Sequence, residues 1–188
     1  IENYKIGFNP KLFTTRTLDL YFENKVNLVP TIFKLKNNKK KKINKIFHLN
    51  NSITGESSIS KIKKIKSYMK KNKINYLYIS ASENINWLLN IRGKDLPNSP
   101  LVNCKLLITN YDKIYLFINS AKISNFSINF LKGIILCDED DLLKITNNLK
   151  NGFFCIDNST CSIFEEAIIR SKFKIIQKID PIYNFKSD

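Results

Sequence analysis

The sequence contains few of the residues on which most catalytic and metal sites are built. It has a single histidine, His48, and no cysteine, carboxylate or second histidine accompanies it at the spacing of a metal site. It has no glycine-rich phosphate loop, no Gly-x-Ser-x-Gly motif and no paired-cysteine zinc motif. A serine or cysteine nucleophile would lack a nearby histidine base unless His48 folded back onto it. We therefore assign no catalytic residue and no metal ligand to this chain.

Long apolar runs are also missing. One of the longest, at residues 114–118, is far too short to span a bilayer, and no charged start followed by an apolar stretch resembles a signal peptide. The four cysteines, Cys104, Cys137, Cys155 and Cys161, form no Cys-x-x-Cys pair and lie mostly in apolar surroundings. We expect free thiols in the core, a soluble protein without a membrane partner, and a reducing, cytoplasmic location.

Arginine is scarce although the chain is strongly basic, with a formal net charge of +15. Of the 31 basic residues only three are arginine, Arg16, Arg92 and Arg170, and the others are lysine. The chain is about as rich in isoleucine and asparagine as it is in lysine. Codon bias towards A and T explains such a composition without a partner, and a surface that reads bases needs arginine for bidentate contacts with guanine. We expect no specific nucleic-acid partner. Nonspecific binding through the basic run at residues 36–45 and a lysine-rich helix stays open as an alternative.

What is present is an alternation of strand and helix patterns. A β-α-β pattern covers a strand at residues 4–8, a helix at 11–24 with Leu12, Leu18 and Phe22 on one face, and a strand at 26–33. A second series then follows: a helix at 57–72, a strand at 74–80, a short helix opened by Ser82 and Glu83, a hairpin at 104–118, a helix at 121–131 and a strand at 133–137, and then a strand, helix and strand at 153–156, 159–171 and 173–178. This order predicts a three-layer α/β/α domain with a mixed sheet, preceded by a partial β-α-β piece of a similar domain.

The helix at residues 57–72 shows how the core is predicted. Ile59, Ile62, Ile65 and Met69 form its apolar stripe, and Ser57 or Ser58 can cap its start. The lysines of the helix are expected to form its solvent-facing side; they are Lys61, Lys64, Lys66, Lys70 and Lys71.

Four consecutive acidic residues, at positions 138–141, raise the possibility of a metal site. Adjacent residues on a helix point in different directions and do not easily converge on one ion. We interpret the run instead as a cap and first-turn charges that face the dipole of the following helix.

The most informative stretch joins Trp87 to a charged, Gly- and Pro-containing corner at residues 90–100. A short helix ends near Asn90, the chain turns at Gly93, and Arg92 and Asp95 flank that turn, where the two charges could pair. A loop on a rigid support is a common place for binding groups. From spacing alone we favour a structural role, in which both charges brace the turn and Trp87 fills the core.

The residues of this corner resemble a known family. The stretch at residues 82–95, followed by Pro100 and the run at 115–118, resembles the middle domain of three-domain Xaa-Pro aminopeptidases of the creatinase and prolidase superfamily. Residues 6–10 and 27–30 resemble the end of that family's first domain. Residues 54–57 resemble the start of the middle domain, and residues 180–182 resemble the run that leads into the catalytic domain.

The resemblance implies four segments. They are the C-terminal part of a first creatinase-like domain at residues 1–35, a basic linker at 36–52, the middle creatinase-like domain at 53–180, and a lead-in to a catalytic domain at 181–188. The sequence departs from the family after Asn37 and Asn38, where an Asn-Leu-Val-Asp motif and a tryptophan usually precede the linker and where this chain continues into four lysines. This departure affects how the first and middle domains are expected to pack against each other.

The resemblance also implies a function for the longer protein of which we expect this chain to be a piece. The family releases the N-terminal residue that precedes proline, using two metal ions, usually manganese, in a C-terminal domain. Its preceding domains contribute to the homodimer and limit access to the active site. We therefore expect this chain alone to be inactive, with Trp87, Asn90, Arg92, Gly93 and Asp95 as the corner facing the catalytic domain or the dimer partner. A binding or regulatory module derived from this family is the alternative.

Overall fold

A computed structural model describes residues 5–22, 26–32, 43–125 and 131–187 of the chain. Its helices are α1 (Thr15–Phe22), α2 (Asn51–Thr54), α3 (Ser58–Lys71), α4 (Ser82–Leu89), α5 (Ser120–Asn125), α6 (Leu142–Asn147), α7 (Ile163–Arg170) and α8 (Ile182–Ser187). Its strands are β1 (Lys5–Phe8), β2 (Asn27–Pro30), β3 (Phe47–His48), β4 (Tyr76–Ile79), β5 (Ile91–Arg92), β6 (Lys105–Thr109), β7 (Ile114–Ile118), β8 (Ile135–Asp138), β9 (Phe153–Ile156) and β10 (Lys174–Gln177).

A six-stranded mixed sheet in the order β10-β9-β4-β6-β7-β8 forms the centre of the molecule. Strand β6 runs antiparallel to both β4 and β7, whereas the other neighbouring pairs are parallel. The β6–β7 pair is the hairpin expected from the two apolar runs around residues 110–113. The pattern of mixed strands and alternating helices confirms the predicted α/β class.

Alternation of side chains along the strands produces two cores, one on each face of the sheet. In β4, Leu77 and Ile79 face a core that includes Ile65 of α3 and Leu88 of α4. The other face carries aromatic side chains and packs against α6 and α7; its largest members are Tyr76, Tyr78, Phe117 and Phe154. These two cores give the helix–sheet–helix layers that the sequence predicts.

Helix α3 has the predicted bounds, but two of its side chains lie opposite to expectation. The hydroxyl of Ser57 caps the start by accepting a hydrogen bond from the Ser60 N–H, at 3.2 Å. Ile65 and Met69 are buried as predicted, whereas Ile59 is 67% exposed and Lys61 is only 2% exposed. The prediction that Ile59 lies in the core and Lys61 on the solvent side was wrong. The cause is that the Lys61 ammonium finds hydrogen-bond acceptors and the ring of Trp87 at the end of α4.

The first β-α-β piece is present, with β1 and β2 parallel. Its helix begins at Thr15 rather than near residue 11, because the Thr14 hydroxyl accepts a hydrogen bond from the Thr17 N–H at 3.1 Å and so caps the helix there. Leu12, expected on the apolar face of this helix, precedes it and is exposed.

This first piece is held against the main domain at the start of α7. The backbone N–H of Ile163 donates to Phe13 O at 2.9 Å, and that of Phe164 donates to Pro10 O at 3.0 Å. Such first-turn N–H groups have no partner within their own helix, so the loop before α1 satisfies them. The two parts of the chain are therefore joined by backbone hydrogen bonds as well as by side chains.

Helix α7 is shorter than the predicted range of 159–171. It starts after Ser162, which forms a capping box with Glu165: the Ser162 hydroxyl accepts from the Glu165 N–H, and the Glu165 carboxylate accepts from the Ser162 N–H. Just before this helix, the N–H and the hydroxyl of Ser159 donate hydrogen bonds to the Asp157 carboxylate. These bonds form a turn in place of the predicted first turn of helix.

The described part of the linker predicted at residues 36–52 contains regular structure. Residues 33–42, which include most of the lysine run, lie outside the described residues. Beyond them Ile46 is buried, β3 pairs antiparallel with β5, and α2 follows. Regular structure thus begins within the predicted linker, and the linker and the domain boundaries stay a prediction.

The acidic run at residues 138–141 does not cap α6 through a side chain. Asp141 occupies the N-cap position, but its carboxylate accepts from the Asp138 N–H at 3.2 Å and makes no capping hydrogen bond to α6. The expected first-turn charges are also absent, because α6 begins with Leu142 and Leu143. The predicted helix at 121–131 appears as α5 as far as Asn125; residues 126–130 lie outside the described part of the chain.

Candidate functional site

The corner at residues 90–100 lies between α4, whose last turn carries Trp87, and β6. Helix α4 ends at Asn90, which adopts the left-handed conformation with φ 54° and ψ 34°. The short strand β5 follows and pairs with β3. The chain then folds back, because the Gly93 N–H donates to Pro100 O and the Asp95 N–H donates to Leu101 O, at 3.2 and 3.0 Å.

Asn90 ties three elements together. Its side-chain oxygen accepts from the Lys61 ammonium at 2.7 Å, and its side-chain nitrogen donates to Glu56 O at 2.8 Å. Its backbone oxygen accepts from the Leu49 N–H at 2.8 Å. The residue is 1% exposed, so all of these bonds are formed away from water. Asn90 therefore holds the end of α4 to α3 and to the segment before α2.

Lys61 is a buried cation beneath the corner. Its ammonium donates to Trp87 O at 2.9 Å and lies 4.0 Å from the centre of the Trp87 ring, in addition to its bond with Asn90. Burial lowers the pKa of Lys61 from its usual value, and the charge of Glu56 opposes that shift. Trp87 is half-buried and packs on the core, so it both fills space and covers a charge.

Arg92 has two backbone acceptors on one of its nitrogens. Nη1 donates to Asn86 O at 3.1 Å and to Ile91 O at 2.8 Å. The residue is half-buried, and within the described ranges its other guanidinium nitrogens have no hydrogen-bond partner. Its charge also lowers the pKa of Lys186 in α8, although burial of Lys186 is the main cause of that shift. Arg92 therefore combines an anchored half with donors that remain available.

Asp95 pairs with a residue that the sequence pattern did not indicate. Its carboxylate accepts from the Lys122 ammonium at 2.6 Å, and the two side chains are 12% and 7% exposed. The other carboxylate oxygen accepts from the Asn103 N–H at 2.8 Å. The suggested pairing of Arg92 with Asp95 was therefore wrong, because Lys122 in α5 reaches the turn and also donates to Asn44 O.

Gly93 is required by close packing rather than by an unusual backbone angle. A Cβ atom at this position would lie 2.8 Å from Cγ2 of Val102, which is fully buried, and 3.3 Å from Leu101 O. A turn at residues 96–99 forms the tip of the corner, where Asn98 has φ 62° after Pro97. Leu96 is 44% exposed at this tip.

A second polar cluster fixes the C-terminal helix to α4. The Asp180 carboxylate is buried and accepts from the Asn84 side chain at 2.7 Å and from the Ile182 N–H at 2.9 Å. Its own N–H donates to the carboxylate of Asp157 at 2.8 Å. Burial raises the pKa of Asp180, while its bonds with Asn84 and Ile182 lower it.

Helix α8 adds two further contacts with α4. The Tyr183 hydroxyl donates to the Glu83 carboxylate at 2.9 Å, and the Lys186 ammonium donates to the side-chain oxygen of Asn84. The chain after Asp180 is thus held beside the same helix that carries Trp87 and Asn90.

The structure places the five predicted residues in one corner and adds partners that sequence reasoning missed. The missed residues are Lys61, Asn84, Lys122, Asp157 and Asp180. Asn84 and Asp180 both lie in stretches that carried the family resemblance, which is the signal that could have found them. Across the described ranges no three His, Cys, Asp or Glu residues come together in a way that could hold a metal ion. What the corner offers chemically is a rigid surface with available arginine donors. Its orientation towards a catalytic domain stays a prediction.

Comparison with known proteins identifies the family. The family model of the creatinase/prolidase N-terminal domain matches residues 37–187. Xaa-Pro aminopeptidase 1 of Dictyostelium discoideum is 29% identical over 143 residues, which are 74% of this chain and 22% of that protein. A probable Xaa-Pro aminopeptidase P of Laccaria bicolor is 28% identical over 106 residues, 56% of this chain and 16% of that protein. The chain therefore spans about a fifth of the length of these relatives.

A solved structure supports the same fold. The X-prolyl aminopeptidase of Caenorhabditis elegans, described as a cytosolic enzyme with a di-nuclear active site, superimposes with a TM-score of 0.77 and 17% identity. The match covers 95% of this chain and 32% of that enzyme. At this identity the likeness is one of fold. Because the family model matches most of the chain, the protein belongs to the family of creatinase/prolidase N-terminal domains.

Proposed function

We propose that this chain is the non-catalytic N-terminal part of a metal-dependent Xaa-Pro aminopeptidase. The observation that carries the proposal is the family match over residues 37–187 together with relatives that are Xaa-Pro aminopeptidases, of which the matched region forms 22% in the Dictyostelium discoideum protein. In this proposal the reaction is release of the N-terminal residue before proline, and the two metal ions, with manganese the expected metal, belong to a part of the protein beyond these residues.

The proposed role of the corner depends on which of its polar groups already have hydrogen-bond partners within the chain. Asn90 is buried and the Asp95 side chain is 12% exposed, and both are satisfied by internal partners, so they shape the corner rather than reach outwards. Arg92 retains donors, and Leu96 is exposed at the tip of the same corner. We assign to Arg92 and the tip the contact with the catalytic domain or with the dimer partner, where they narrow access to the active site.

The C-terminal helix supports this arrangement. Because Asp180 and Lys186 hold α8 to α4 through Asn84, a domain that follows α8 would start beside the helix that leads into the corner. A homodimer is part of the proposal, with the corner or the first β-α-β piece at its interface. The cytoplasmic location is likewise proposed; four free, buried cysteines suit a reducing compartment. No described helix has the length and apolar character needed to cross a membrane.

The proposal is tested with a short Xaa-Pro peptide and added manganese, using this chain and the longer product of the same gene. We expect the longer protein to release the N-terminal residue and this chain to release none. If neither is active, the chain is better described as a binding or regulatory module derived from the family. Activity of this chain alone would contradict the proposal directly.

The corner's role is tested in the longer protein by Arg92→Gln. Removing the guanidinium is expected to raise KM for the peptide several-fold or to shift the monomer–dimer equilibrium. Stability is expected to fall by about 1 kcal/mol, because the Nη1 hydrogen bonds to Asn86 O and Ile91 O are also lost. Arg170→Gln is the matched control, because Arg170 is also an arginine but pairs with Glu166 in α7, on the other side of the sheet. Equal effects of the two substitutions would rule out a specific role for Arg92.

A further inference from the structure

A cleft of about 750 Å³ lies between the last turns of α3 and the β6–β7 turn. The corner leads into the start of β6, whereas this cleft lies at the end of β6. We call it the lysine cleft. Its lining includes Lys66, Lys70 and Lys73 on one side and Asn75, Asn110 and Asp112 on the other. It is separate from the corner, and the proposed peptidase role does not use it.

The three lysines form one stripe. Positions 66 and 70 are one helical turn apart on α3, and Lys73 follows just after the end of the helix. Lys73 adopts φ 54°, which turns the chain back over the end of α3. Lys70 and Lys73 are exposed, and neither has an acidic partner within the described ranges. This is unlike Lys64 earlier in the helix, which pairs with Glu56 at 2.9 Å.

One carboxylate already occupies part of the cleft. Asp112, at the tip of the β6–β7 turn with φ 69°, accepts from the Lys66 ammonium at 2.5 Å. This pair shows that a carboxylate fits against the lysine stripe. It also leaves a local excess of positive charge, because one acidic side chain faces three lysines.

The floor of the cleft is apolar. Met69 and Ile74 are buried beneath it, and Phe153, which also lines the cleft, is 45% exposed. An exposed aromatic side chain among cationic side chains provides a contact for an apolar group beside the charges. The cleft therefore combines cation donors with one apolar contact surface.

A second cleft of the molecule lacks the excess of positive charge found in the lysine cleft. It measures about 670 Å³ and contains Lys11 and Lys105. There the cations are matched by carboxylates in the same lining: Lys11 pairs with Asp140, and Lys105 pairs with Glu165. The high lysine content of the chain therefore does not by itself produce a cleft whose lysines lack carboxylate partners.

We propose that the lysine cleft binds an acidic peptide segment of a partner protein, with carboxylates on Lys70 and Lys73 and an apolar side chain on Phe153. Nucleic acid fits the lining less well. No arginine is found among its described lining residues, and one exposed phenylalanine does not provide a stacking platform for successive bases. Asp112 is a built-in competitor for the bound carboxylates.

The test measures binding of a fluorescein-labelled peptide of alternating Glu and Leu residues by fluorescence anisotropy, with the unmodified 188-residue chain. The variant Lys70→Gln/Lys73→Asn removes two charges, and asparagine tolerates the left-handed conformation at position 73. Binding is expected to weaken about tenfold. Lys63→Gln/Lys71→Gln is the matched control: it removes the same charge from exposed positions of the same helix outside the cleft. It is expected to change binding less than twofold or so.

Asp112→Asn gives a result of opposite sign. It frees Lys66 without changing size, so the peptide is expected to bind about threefold more tightly. Equal losses in the two double variants, no gain with Asp112→Asn, or no detectable peptide binding would each overturn the proposal. Tighter binding of a single-stranded oligonucleotide of equal charge than of the peptide would overturn the choice of partner class.

Discussion

Replacing Asp95 with asparagine tests whether the corner is braced as the structure indicates. The substitution keeps the size of the side chain and removes its charge. The Lys122 ammonium, 7% exposed and 2.6 Å from the carboxylate, then remains buried with Asn44 O as its other acceptor. An amide also has only one acceptor oxygen, so it cannot serve both Lys122 and the Asn103 N–H as the carboxylate does.

The expected loss of stability is large for a conservative change. Breaking a buried ion pair by removing one partner costs about 3–5 kcal/mol, and the remaining Asn44 acceptor places this case at about 3 kcal/mol. For a chain of this size that corresponds to a decrease of about 6–12 °C in Tm. Lys122→Met is expected to cost about 2–3 kcal/mol, and the double variant less than the sum by about 1 kcal/mol or more.

Thermal unfolding followed by circular dichroism measures these values. Asp112→Asn is the matched control, since Asp112 also pairs with a lysine but is 84% exposed; its effect is expected to stay within about 0.5 kcal/mol. If Asp95→Asn shifts Tm no more than Asp112→Asn, or if the Asp95 and Lys122 effects add fully, Asp95 does not brace the corner through Lys122.

Two further predictions concern the same region. Burial lowers the pKa of Lys61 below 10.5, so the unfolded chain holds this proton more tightly and the free energy of unfolding rises with pH as 10.5 is approached. In urea unfolding at a series of pH values, the wild type should therefore gain stability relative to Lys61→Met towards alkaline pH; a pH-independent difference would contradict this assignment. Gly93→Ala is expected to cost about 1–3 kcal/mol because its Cβ would overlap Val102, and the Val102→Ala background should reduce that cost. A denaturant midpoint unchanged by Gly93→Ala would show that Val102 moves aside freely.

The elements that sequence predicted well are those whose signals are local. Helix α3 was bounded correctly because a serine cap and a regular apolar stripe lie within one stretch of chain. The β6–β7 hairpin followed from two apolar runs around a short polar turn, and the end of α4 from the asparagine that precedes the corner. Each of these depends on residues only a few positions apart.

The partners of the corner were missed because they lie far away in sequence. Lys122 is 27 positions from Asp95, and Lys61 is 29 positions from Asn90. In a helical periodicity pattern lysine counts as polar and falls on the solvent side, so the pattern does not indicate a lysine whose charge is satisfied inside the protein. Whether Arg92 faces a catalytic domain stays a prediction, since one chain shows its available donors without showing what they meet.

Asn90 restricts which sequences can keep this corner. Its backbone requires the left-handed conformation, which glycine and asparagine adopt most readily. Glycine would lose both the acceptor for Lys61 and the donor to Glu56 O, and aspartate would keep the acceptor but have no hydrogen to donate. Of the twenty amino acids only asparagine meets all three demands, so among divergent descendants of this domain this position should vary less than the fully buried leucines beside it.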